Sequence, residues 1–236
     1  MSTVLEAREL RKSYRGGDGG TIEVLRGLDL AVATGEFVAV TGESGSGKST
    51  LLHQLGALDR PTSGLIALDG VAYDTLGPDA LAELRNRRIG FVFQFHHLLR
   101  DFSAQENVAM PLLIGGVAAA QAQERARALL ELVGLAPRMS HLPAQLSGGE
   151  QQRAAVARAL VTEPALLLAD EPSGNLDERN AEQLHGLFAG LARNFRTAVV
   201  VVTHNRSLAA RADRVLRLSE GLLAAATPAG FPESAE

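Results

Sequence analysis

Gly42-Glu43-Ser44-Gly45-Ser46-Gly47-Lys48-Ser49-Thr50 is the stretch of sequence around which the chain is organised. The apolar run Phe37-Val38-Ala39-Val40 precedes it and Leu51-Leu52-His53-Gln54-Leu55 follows it, so the order predicts a strand, a glycine-rich loop and a helix. Glycines let such a loop turn tightly, so that successive backbone N–H groups and the positive end of the helix point at a polyphosphate. A glycine-rich turn that binds nothing does not account for the full G-x-x-x-x-G-K-S spacing between strand and helix.

Side chains of this loop indicate magnesium–nucleotide chemistry. Lys48 is expected to reach the outer phosphates of ATP, and the Ser49 hydroxyl is expected to bind Mg²⁺. One protein hydroxyl suits Mg²⁺, since that ion prefers six rigidly placed oxygens and takes most of them from phosphates and waters. The other loop residues predicted to contact the nucleotide are Gly42, Glu43, Ser44, Gly45, Ser46, Gly47 and Thr50.

Composition restricts the class of protein. The chain has 236 residues, of which 46% are hydrophobic and 21% charged, as in a globular protein with a sizeable core. A net charge of −4 argues against a nucleic-acid partner, and zero cysteines exclude disulfides and cysteine-ligated zinc. No stretch approaches the roughly 20 apolar residues that cross a bilayer, and the N-terminus lacks the pattern of a secretory signal, so we expect the protein in the cytoplasm.

Two continuous apolar runs predict strands that are covered on both faces. Ala165–Leu168 leads through Ala169 to Asp170 and Glu171, and Thr197–Thr203 ends at His204. Strands of this kind form parallel sheets, whose carboxyl ends share one edge where ligands bind. We therefore expect Asp170 to hold Mg²⁺ opposite Ser49. Glu171 is expected to face the attacking water, and His204 to bridge the γ-phosphate and this base. The alternatives are that Asp170 and Glu171 are solvated acids at a strand end and that His204 is a structural cap.

Further side chains are expected near this edge. Residues 3–11 and 22–32 alternate apolar and polar side chains and predict a strand pair, with Tyr14 just before the connecting glycines. Tyr14 either stacks on a purine or is a half-buried tyrosine at a strand end, and spacing alone leaves both open. The buried strand Arg88–Phe93 delivers Gln94.

A helical insert interrupts the alternation of strands and helices. Glu106–Ile114 and Gln121–Val133 both suit helices, the second ending at Gly134. In the next helix, Ser147 and Glu150 form a capping-box pattern, while Gly148 and Gly149 weaken the first turn but expose N–H groups to an anion. This helix end would be a second phosphate site. If the insert projects away from the core, only a second copy in a two-fold dimer could bring it to the first nucleotide.

The motifs together resemble the ATP-binding subunits of ABC transporters. The residues that carry the likeness are Gly42–Thr50, Gln94, Leu146–Arg153, Leu166–Glu171, Asp177 and His204. The resemblance implies that Tyr14 stacks on adenine, Gln94 joins Mg²⁺ and water to a membrane partner, and Glu171 is the catalytic base. It also places Asp177 in a dimer-contact loop, for which a plain helix N-cap is the alternative.

The implied fold is α/β: a P-loop NTPase core with a mostly parallel sheet, an N-terminal antiparallel β-subdomain and an inserted α-helical subdomain. Within this single ABC ATPase domain, residues 1–94 and 163–220 are expected to form the core with the antiparallel β-subdomain. Residues 95–162 would form the helical subdomain, and 221–236 a flexible tail. The implied partners are transmembrane transporter subunits and a second copy of the chain, at the cytoplasmic face of the inner membrane.

A narrower likeness points to the ATPases of lipoprotein-releasing transporters. It rests on Phe93–Leu99, Asp101–Phe102, Glu106–Ile114 and Gly174–Asp177. The same branch includes macrolide or peptide exporters and a cell-division ATPase, which remain alternatives. The chain departs from the lipoprotein pattern at Arg100, Ser173 and Asn205, where proline, threonine and aspartate are usual.

Another class, the soluble ABC ATPases that act on DNA or ribosomes, is disfavoured by the sequence. Gln94 and Ser147 lie too close in sequence to enclose a long coiled coil, and there is one ATPase half. A module that binds ATP and signals without turnover, as in cell division, is a third possibility.

Overall fold

The computed structural model describes residues 2–17 and 19–226. The strands are β1 (Thr3–Arg15), β2 (Thr21–Ala33), β3 (Phe37–Thr41), β4 (Ser63–Leu68), β5 (Val71–Ala72), β6 (Ile89–Phe93), β7 (Leu166–Asp170), β8 (Ala198–Val202), β9 (Arg214–Ser219) and β10 (Leu222–Ala226). The α-helices are α1 (Lys48–Leu55), α2 (Pro78–Arg88), α3 (Ala104–Ile114), α4 (Ala119–Leu132), α5 (Gly148–Leu160), α6 (Glu178–Phe195) and α7 (Arg206–Ala209). Short 3₁₀ turns are Tyr73–Thr75, Ala136–Arg138 and Pro143–Gln145.

A six-stranded sheet in the order β10-β9-β3-β8-β7-β6 forms the centre of the fold. All its neighbouring strands run parallel except β10, which is antiparallel to β9. In β8, Val200 and Val202 pack into the core on one face, and Val199 and Val201 into the core on the other. The apolar run is continuous because both faces of the strand are covered, as the sequence predicts.

An antiparallel sheet in the order β2-β1-β4-β5 covers one face of the central sheet. Leu5 and Leu10 of β1 are fully buried and share a core with Leu51 of α1 and Val200 of β8. The α/β class with a mostly parallel core and an N-terminal antiparallel sheet is therefore confirmed.

The predicted helices of the insert are present, each starting two residues earlier than the pattern indicates. Helices α3, α4 and α5 share a core of their own, built largely from alanine, valine and leucine. Helix α4 ends as expected for a glycine terminator: Gly134 has φ 73°, and the Leu135 N–H donates to the Leu130 carbonyl at 2.7 Å. The limits of a helical subdomain at 95–162 stay a prediction.

The expected tail from residue 221 is wrong for residues 222–226. These form β10, which pairs with β9 through a two-residue turn at Glu220 (φ 52°) and Gly221 (φ 78°). Positive φ at both central positions is typical of the tight turn that joins antiparallel strands. The alanine-rich composition hid the strand because the pairing, not the intrinsic propensity, stabilises it. The remainder of the predicted tail, 227–236, lies outside the described residues.

The helix that follows β8 is short. It spans Arg206–Ala209, and Asn205 caps it by accepting a hydrogen bond from the Leu208 N–H at 3.0 Å. Of the helices in residues 2–17 and 19–226, none combines the length and apolar character that a membrane crossing needs.

Candidate nucleotide-binding site

A cavity of about 800 Å³ opens where the carboxyl ends of β3, β6, β7 and β8 meet. It brings together residues that are far apart in sequence. The predicted residues that line it are Tyr14, Gly42, Ser44, Gly45, Gly47, Lys48, Ser49, Thr50, Gln94, Asp170, Glu171 and His204. The convergence expected from a parallel sheet is therefore observed.

The loop between β3 and α1 needs glycine for steric reasons at two positions. A Cβ on Gly42 would lie 2.4 Å from the Leu218 carbonyl oxygen. Gly47 has φ 100°, and a Cβ there would lie 2.8 Å from Cγ1 of Val24. Gly47 is also the N-cap of α1 and provides no side-chain cap, so the N–H groups of the first turn stay available to an anion.

Polar groups of the loop are arranged as a cradle. The Lys48 ammonium donates to the carbonyls of Gly42 at 2.9 Å and Glu43 at 2.8 Å, which holds its charge across the loop. The Ser46 hydroxyl is buried, has no hydrogen-bond partner among the described residues, and does not line the cavity. The Glu43 side chain instead points to Arg217 at 3.4 Å and does not line the cavity.

Glu171 and His204 form one hydrogen-bonded unit at the opposite wall. Glu171 Oε1 lies 2.8 Å from His204 Nδ1 and accepts from the His204 backbone N–H at 3.0 Å. Glu171 Oε2 accepts from the Thr203 hydroxyl at 3.1 Å. Glu171 has φ 43°, a conformation that is uncommon for a residue with a side chain and often found at functional sites.

The candidate magnesium ligands border the same cavity. Ser49 lies in the first turn of α1, Asp170 ends β7 and Gln94 follows β6. The amide Nε2 of Gln94 donates to Asn175 Oδ1 at 3.1 Å, which leaves the Gln94 side-chain oxygen free of that bond. Within the described part of the chain, no cluster of three or more His, Cys, Asp or Glu side chains could hold a metal by itself. The oxygen donors therefore fit Mg²⁺ only together with ligand phosphates and waters.

Tyr14 is presented at the mouth of the cavity, with 41% of its surface exposed. Its hydroxyl donates to Asp59 at 3.0 Å, and the Lys12 ammonium lies 4.9 Å from the ring centroid. Burial and the hydrogen bond to Asp59 raise the pKa of Tyr14. The pKa of Asp59 is lowered: burial acts to raise it, but the bonds to Lys12 and Tyr14 outweigh burial. The ring is thus held by its polar neighbours at an accessible position.

The helix end at Ser147 does not line this cavity. Its capping box is present: the Ser147 hydroxyl accepts from the Glu150 N–H at 3.3 Å, and Glu150 accepts from the Ser147 N–H at 2.7 Å. That backbone bond, aided by Arg138 at 3.1 Å, lowers the pKa of Glu150. A Cβ on Gly148 would meet open space, whereas one on Gly149 would lie 2.4 Å from Asn180 Oδ1. Close packing against Asn180 therefore explains why position 149 is glycine, which the sequence did not indicate.

Comparison with known proteins identifies the family of this site. The family profile described as ABC transporter matches residues 25–174. The chain belongs to the ABC transporter family.

Members of that family align with almost the whole chain. The "Lipoprotein-releasing system ATP-binding protein LolD" of Legionella pneumophila (strain Lens) is 54% identical over 220 residues, which cover 93% of this chain and 96% of the relative. The protein of the same name from Geobacter metallireducens is 53% identical over 226 residues, covering 95% of this chain and 100% of the relative.

Solved structures of the ABC transporter family share the fold. The dimeric structure of MJ0796, a bacterial ABC transporter cassette, has a TM-score of 0.85 and 38% identity over 93% of this chain and 96% of that one. A dimeric post-hydrolysis state of MJ0796 bound to ADP and Pi gives a TM-score of 0.85 and 37% identity with the same coverage.

Asp177, which the ABC resemblance assigns to a dimer contact, caps helix α6 in this chain. Its Oδ1 accepts from the Asn180 N–H at 2.9 Å and its Oδ2 from the Asn180 side-chain amide at 2.6 Å. These bonds lower the pKa of Asp177, and the bond from the Asn180 backbone N–H contributes most. The N-cap alternative is therefore confirmed as a local role, and a contact with a second ABC subunit stays a prediction.

Several residues of this ABC site were not predicted from the sequence. Asp59 holds Tyr14, Thr203 holds Glu171 and Asn175 holds Gln94. The cavity wall also includes Val24, Phe93, Phe95 and His97. Phe93, Phe95 and Thr203 lie directly before or after a predicted site residue, and that position could have indicated them. Nothing in the sequence marks Asp59 or Val24.

Proposed function

We propose that this chain is the ATP-hydrolysing subunit of an ABC transporter that releases lipoproteins from the inner membrane. The observation that carries the proposal is the identity of more than half of the aligned positions to LolD along nearly the full length of both chains. The cavity supports hydrolysis, since it joins a phosphate loop to a carboxylate–imidazole pair.

The phosphate loop is proposed to bind the triphosphate of ATP. The first-turn N–H groups of α1 and the Lys48 ammonium supply positive charge and donors for the β- and γ-phosphates. Lys48 exchanges its bonds to the Gly42 and Glu43 carbonyls for phosphate oxygens. Because the N–H groups of the first turn are already aimed by the fold, little reorganisation of the backbone opposes binding.

Ser49, Asp170 and Gln94 are the residues that would hold Mg²⁺. When bound, Mg²⁺ neutralises charge on the β- and γ-phosphates. Ser49 and Asp170 come from α1 and β7, which are both fixed by the core, so the two oxygens keep their separation without a flexible loop.

Glu171 is proposed to be the general base. It accepts a proton from a water as the water oxygen bonds to the γ-phosphorus and the bond from that phosphorus to ADP breaks, giving ADP and phosphate. The Thr203 hydroxyl and the His204 backbone N–H fix the carboxylate. His204 is 75% exposed on its side chain, so its ring can contact the γ-phosphate while it stays bonded to Glu171.

A second copy of the chain is proposed to complete the site. The Ser147 helix end presents open space at Gly148 but lies outside the cavity, so a two-fold dimer would place the partner's copy of this end against the nucleotide. The dimeric MJ0796 cassette, which shares this fold, supports the arrangement. ATP would then close the dimer, and loss of the γ-phosphate would reopen it.

Ser147→Ala tests the shared site. We expect lower turnover with unchanged ATP affinity of the monomer, because Ser147 contacts only the nucleotide of the partner subunit. The variant also loses an N-cap, which costs roughly 1 kcal/mol of stability. Ser103→Ala is the matched control, since Ser103 and Glu106 form the same capping box at the start of α3. Equal loss of turnover in both variants, or a parallel loss of monomer affinity in Ser147→Ala, would refute the shared site; steady-state kinetics and calorimetry measure both quantities.

Tyr14 is proposed to stack on adenine. Tyr14→Ala should weaken ATP binding about tenfold, because stacking of a base on an aromatic ring contributes on the order of 1–3 kcal/mol. Tyr14→Phe keeps the ring and removes only the hydroxyl, with its bonds to Asp59 and Thr50, so it should bind ATP with nearly native affinity. Fluorescent-nucleotide titration distinguishes the two, and equal affinity of Tyr14→Ala and the native protein would exclude stacking.

The membrane partner is proposed to dock beside Gln94. Phe95 (66% exposed), Leu99 (44%) and Phe102 (40%) are exposed apolar side chains that follow Gln94 in sequence. A partner that covered them would remove apolar surface from water. A transmembrane subunit that covers them would be coupled to the nucleotide site through Gln94. It would also hold this chain peripherally at the cytoplasmic side of the inner membrane.

Reconstitution tests the proposed function. The chain is co-purified with the membrane proteins encoded beside its gene, placed in proteoliposomes with a labelled acylated lipoprotein, and given Mg²⁺ and ATP. The proposal predicts release of the lipoprotein that stops in Glu171→Gln. ATP-driven export of a macrolide or peptide, or ATP hydrolysis coupled to neither cargo, would contradict lipoprotein release and favour the exporter or cell-division alternative.

A further inference from the structure

Helix α6 carries a buried histidine that the proposed chemistry does not use. His185 is 1% exposed and does not line the nucleotide cavity. It contacts two segments that each carry a residue of the cavity wall. Its Nε2 lies 3.0 Å from the Ser173 hydroxyl. Its Nδ1 lies 3.4 Å from the Ser207 hydroxyl and 3.6 Å from Glu182 Oε2. A buried polar side chain with partners on both ring nitrogens links those partners rigidly.

The burial of His185 and the groups around it determine which ring nitrogen carries a proton. Burial lowers the pKa of His185, so the ring is neutral near pH 7 and has one donor and one acceptor nitrogen. Glu182 can only accept, and its other oxygen is paired with Arg211. The proton therefore belongs on Nδ1, facing Ser207 and Glu182, and Nε2 accepts the hydroxyl proton of Ser173. Ser207 in turn donates to Glu182 Oε2 at 3.3 Å, so each of these groups has a partner.

The two serines belong to the segments that carry the proposed catalytic groups. Ser173 follows Glu171 by two residues, in a turn closed by the Gly174 N–H on the Glu171 carbonyl at 3.0 Å. Ser207 lies in the first turn of α7, three residues after His204. His185 therefore links the turn that follows Glu171 to helix α7, which follows His204.

We propose that His185 is a positioning residue for ATP hydrolysis, which holds the Ser173 turn and helix α7 in the register that keeps Glu171 against His204. The inference rests on the proposed function, since it assigns a role in turnover. It gives a physical reason for a hydroxyl at position 173, which serine and threonine both supply: the hydroxyl is the partner of a histidine. The alternative is that the network contributes to folding alone.

His185→Leu tests the proposal, because leucine fills the space and removes both ring contacts. Displacement of reacting groups by a fraction of an ångström lowers a rate substantially, so we expect kcat per folded subunit to fall about tenfold, with the KM and Kd for ATP unchanged. Ser173→Ala should lower kcat similarly. The double variant should be no slower than the slower single one, because both changes break the same link.

Matched variants separate positioning from stability. Phe188 is fully buried one turn further along α6, in the core between helix and sheet, and has no part in the network. Phe188→Leu should lower the Tm and yet keep the native kcat per folded subunit. Ser173→Thr retains the hydroxyl and should keep kcat close to native, which Ser173→Ala does not.

The outcomes distinguish this inference from the proposed function. An unchanged kcat in folded His185→Leu and Ser173→Ala overturns the positioning role while ATP hydrolysis by the native protein still stands. Equal kcat losses in Phe188→Leu and His185→Leu, or losses that multiply in the double variant, also overturn it. If His185→Leu does not fold, Ser173→Ala and Ser207→Ala decide the question by the same measurements. Native protein without ATPase activity would refute the proposed function itself.

Discussion

Glu171→Gln is expected to lower ATP turnover by at least about a hundredfold, since a positioned general base contributes on the order of 10²–10⁴ to a rate. Glutamine has the shape of the native side chain. Its amide oxygen can still accept from the His204 N–H, and its amide nitrogen can meet the Thr203 hydroxyl, which now lie 3.0 and 3.1 Å from the carboxylate. What the variant loses is basicity toward water. ATP affinity should therefore stay native, and ATP should trap the dimer.

Gel filtration with ATP and Mg²⁺, together with phosphate-release kinetics, measures both effects. Glu163→Gln is a suitable control, because Glu163 also has positive φ (54°) but is an exposed residue outside the cavity, paired with Arg125. It should keep native turnover and show no trapped dimer. Native turnover in Glu171→Gln would show that the base lies elsewhere.

Lys48→Ala is expected to weaken ATP binding about a hundredfold or more, because hydrogen bonds to charged groups contribute roughly 1.5–3 kcal/mol each. The ammonium now lies between the Gly42 and Glu43 carbonyls, so its removal leaves those oxygens without a donor and takes positive charge from the loop. The loss of charge opposes the binding of a triphosphate, because the variant has no ammonium to donate to the phosphate oxygens. Isothermal calorimetry with ATP and Mg²⁺ measures the loss.

Arg217→Ala provides the matched control for the loss of charge. Arg217 contacts the same loop, through Glu43 at 3.4 Å, but its side chain is 39% exposed and it does not line the cavity. Solvent screens such a surface charge, so its removal should change ATP affinity less than about threefold. Equal weakening by the two variants would mean that net charge, not the placement of Lys48, governs binding.

The sequence predicts the site well where chain order determines geometry. The glycine loop leads directly into α1. The continuous apolar runs before Asp170 and His204 indicate strands of a sheet that is covered on both faces. Because parallel strands end at one edge, Lys48, Asp170 and His204 must meet. These inferences depend on local spacing and on one rule of topology.

What the sequence did not predict depends on contacts between distant residues. The bond between Tyr14 and Asp59, the left-handed backbone at Glu171 and the link from Ser173 to His185 all arise from tertiary packing. The same holds for Gly149, whose lack of a side chain is required by Asn180 of the neighbouring helix. Strand β10 was missed because its alanines carry little strand propensity, although Glu220 and Gly221 form a tight turn.

The central claim is that one subunit lacks part of its own site, and the dependence of ATPase rate on dilution tests it most directly. Turnover per subunit is measured over a series from concentrations where light scattering shows dimers with ATP to those where only monomers remain. The account predicts that turnover per subunit falls toward zero as the dimer is lost. Constant turnover per subunit in strictly monomeric protein would contradict it.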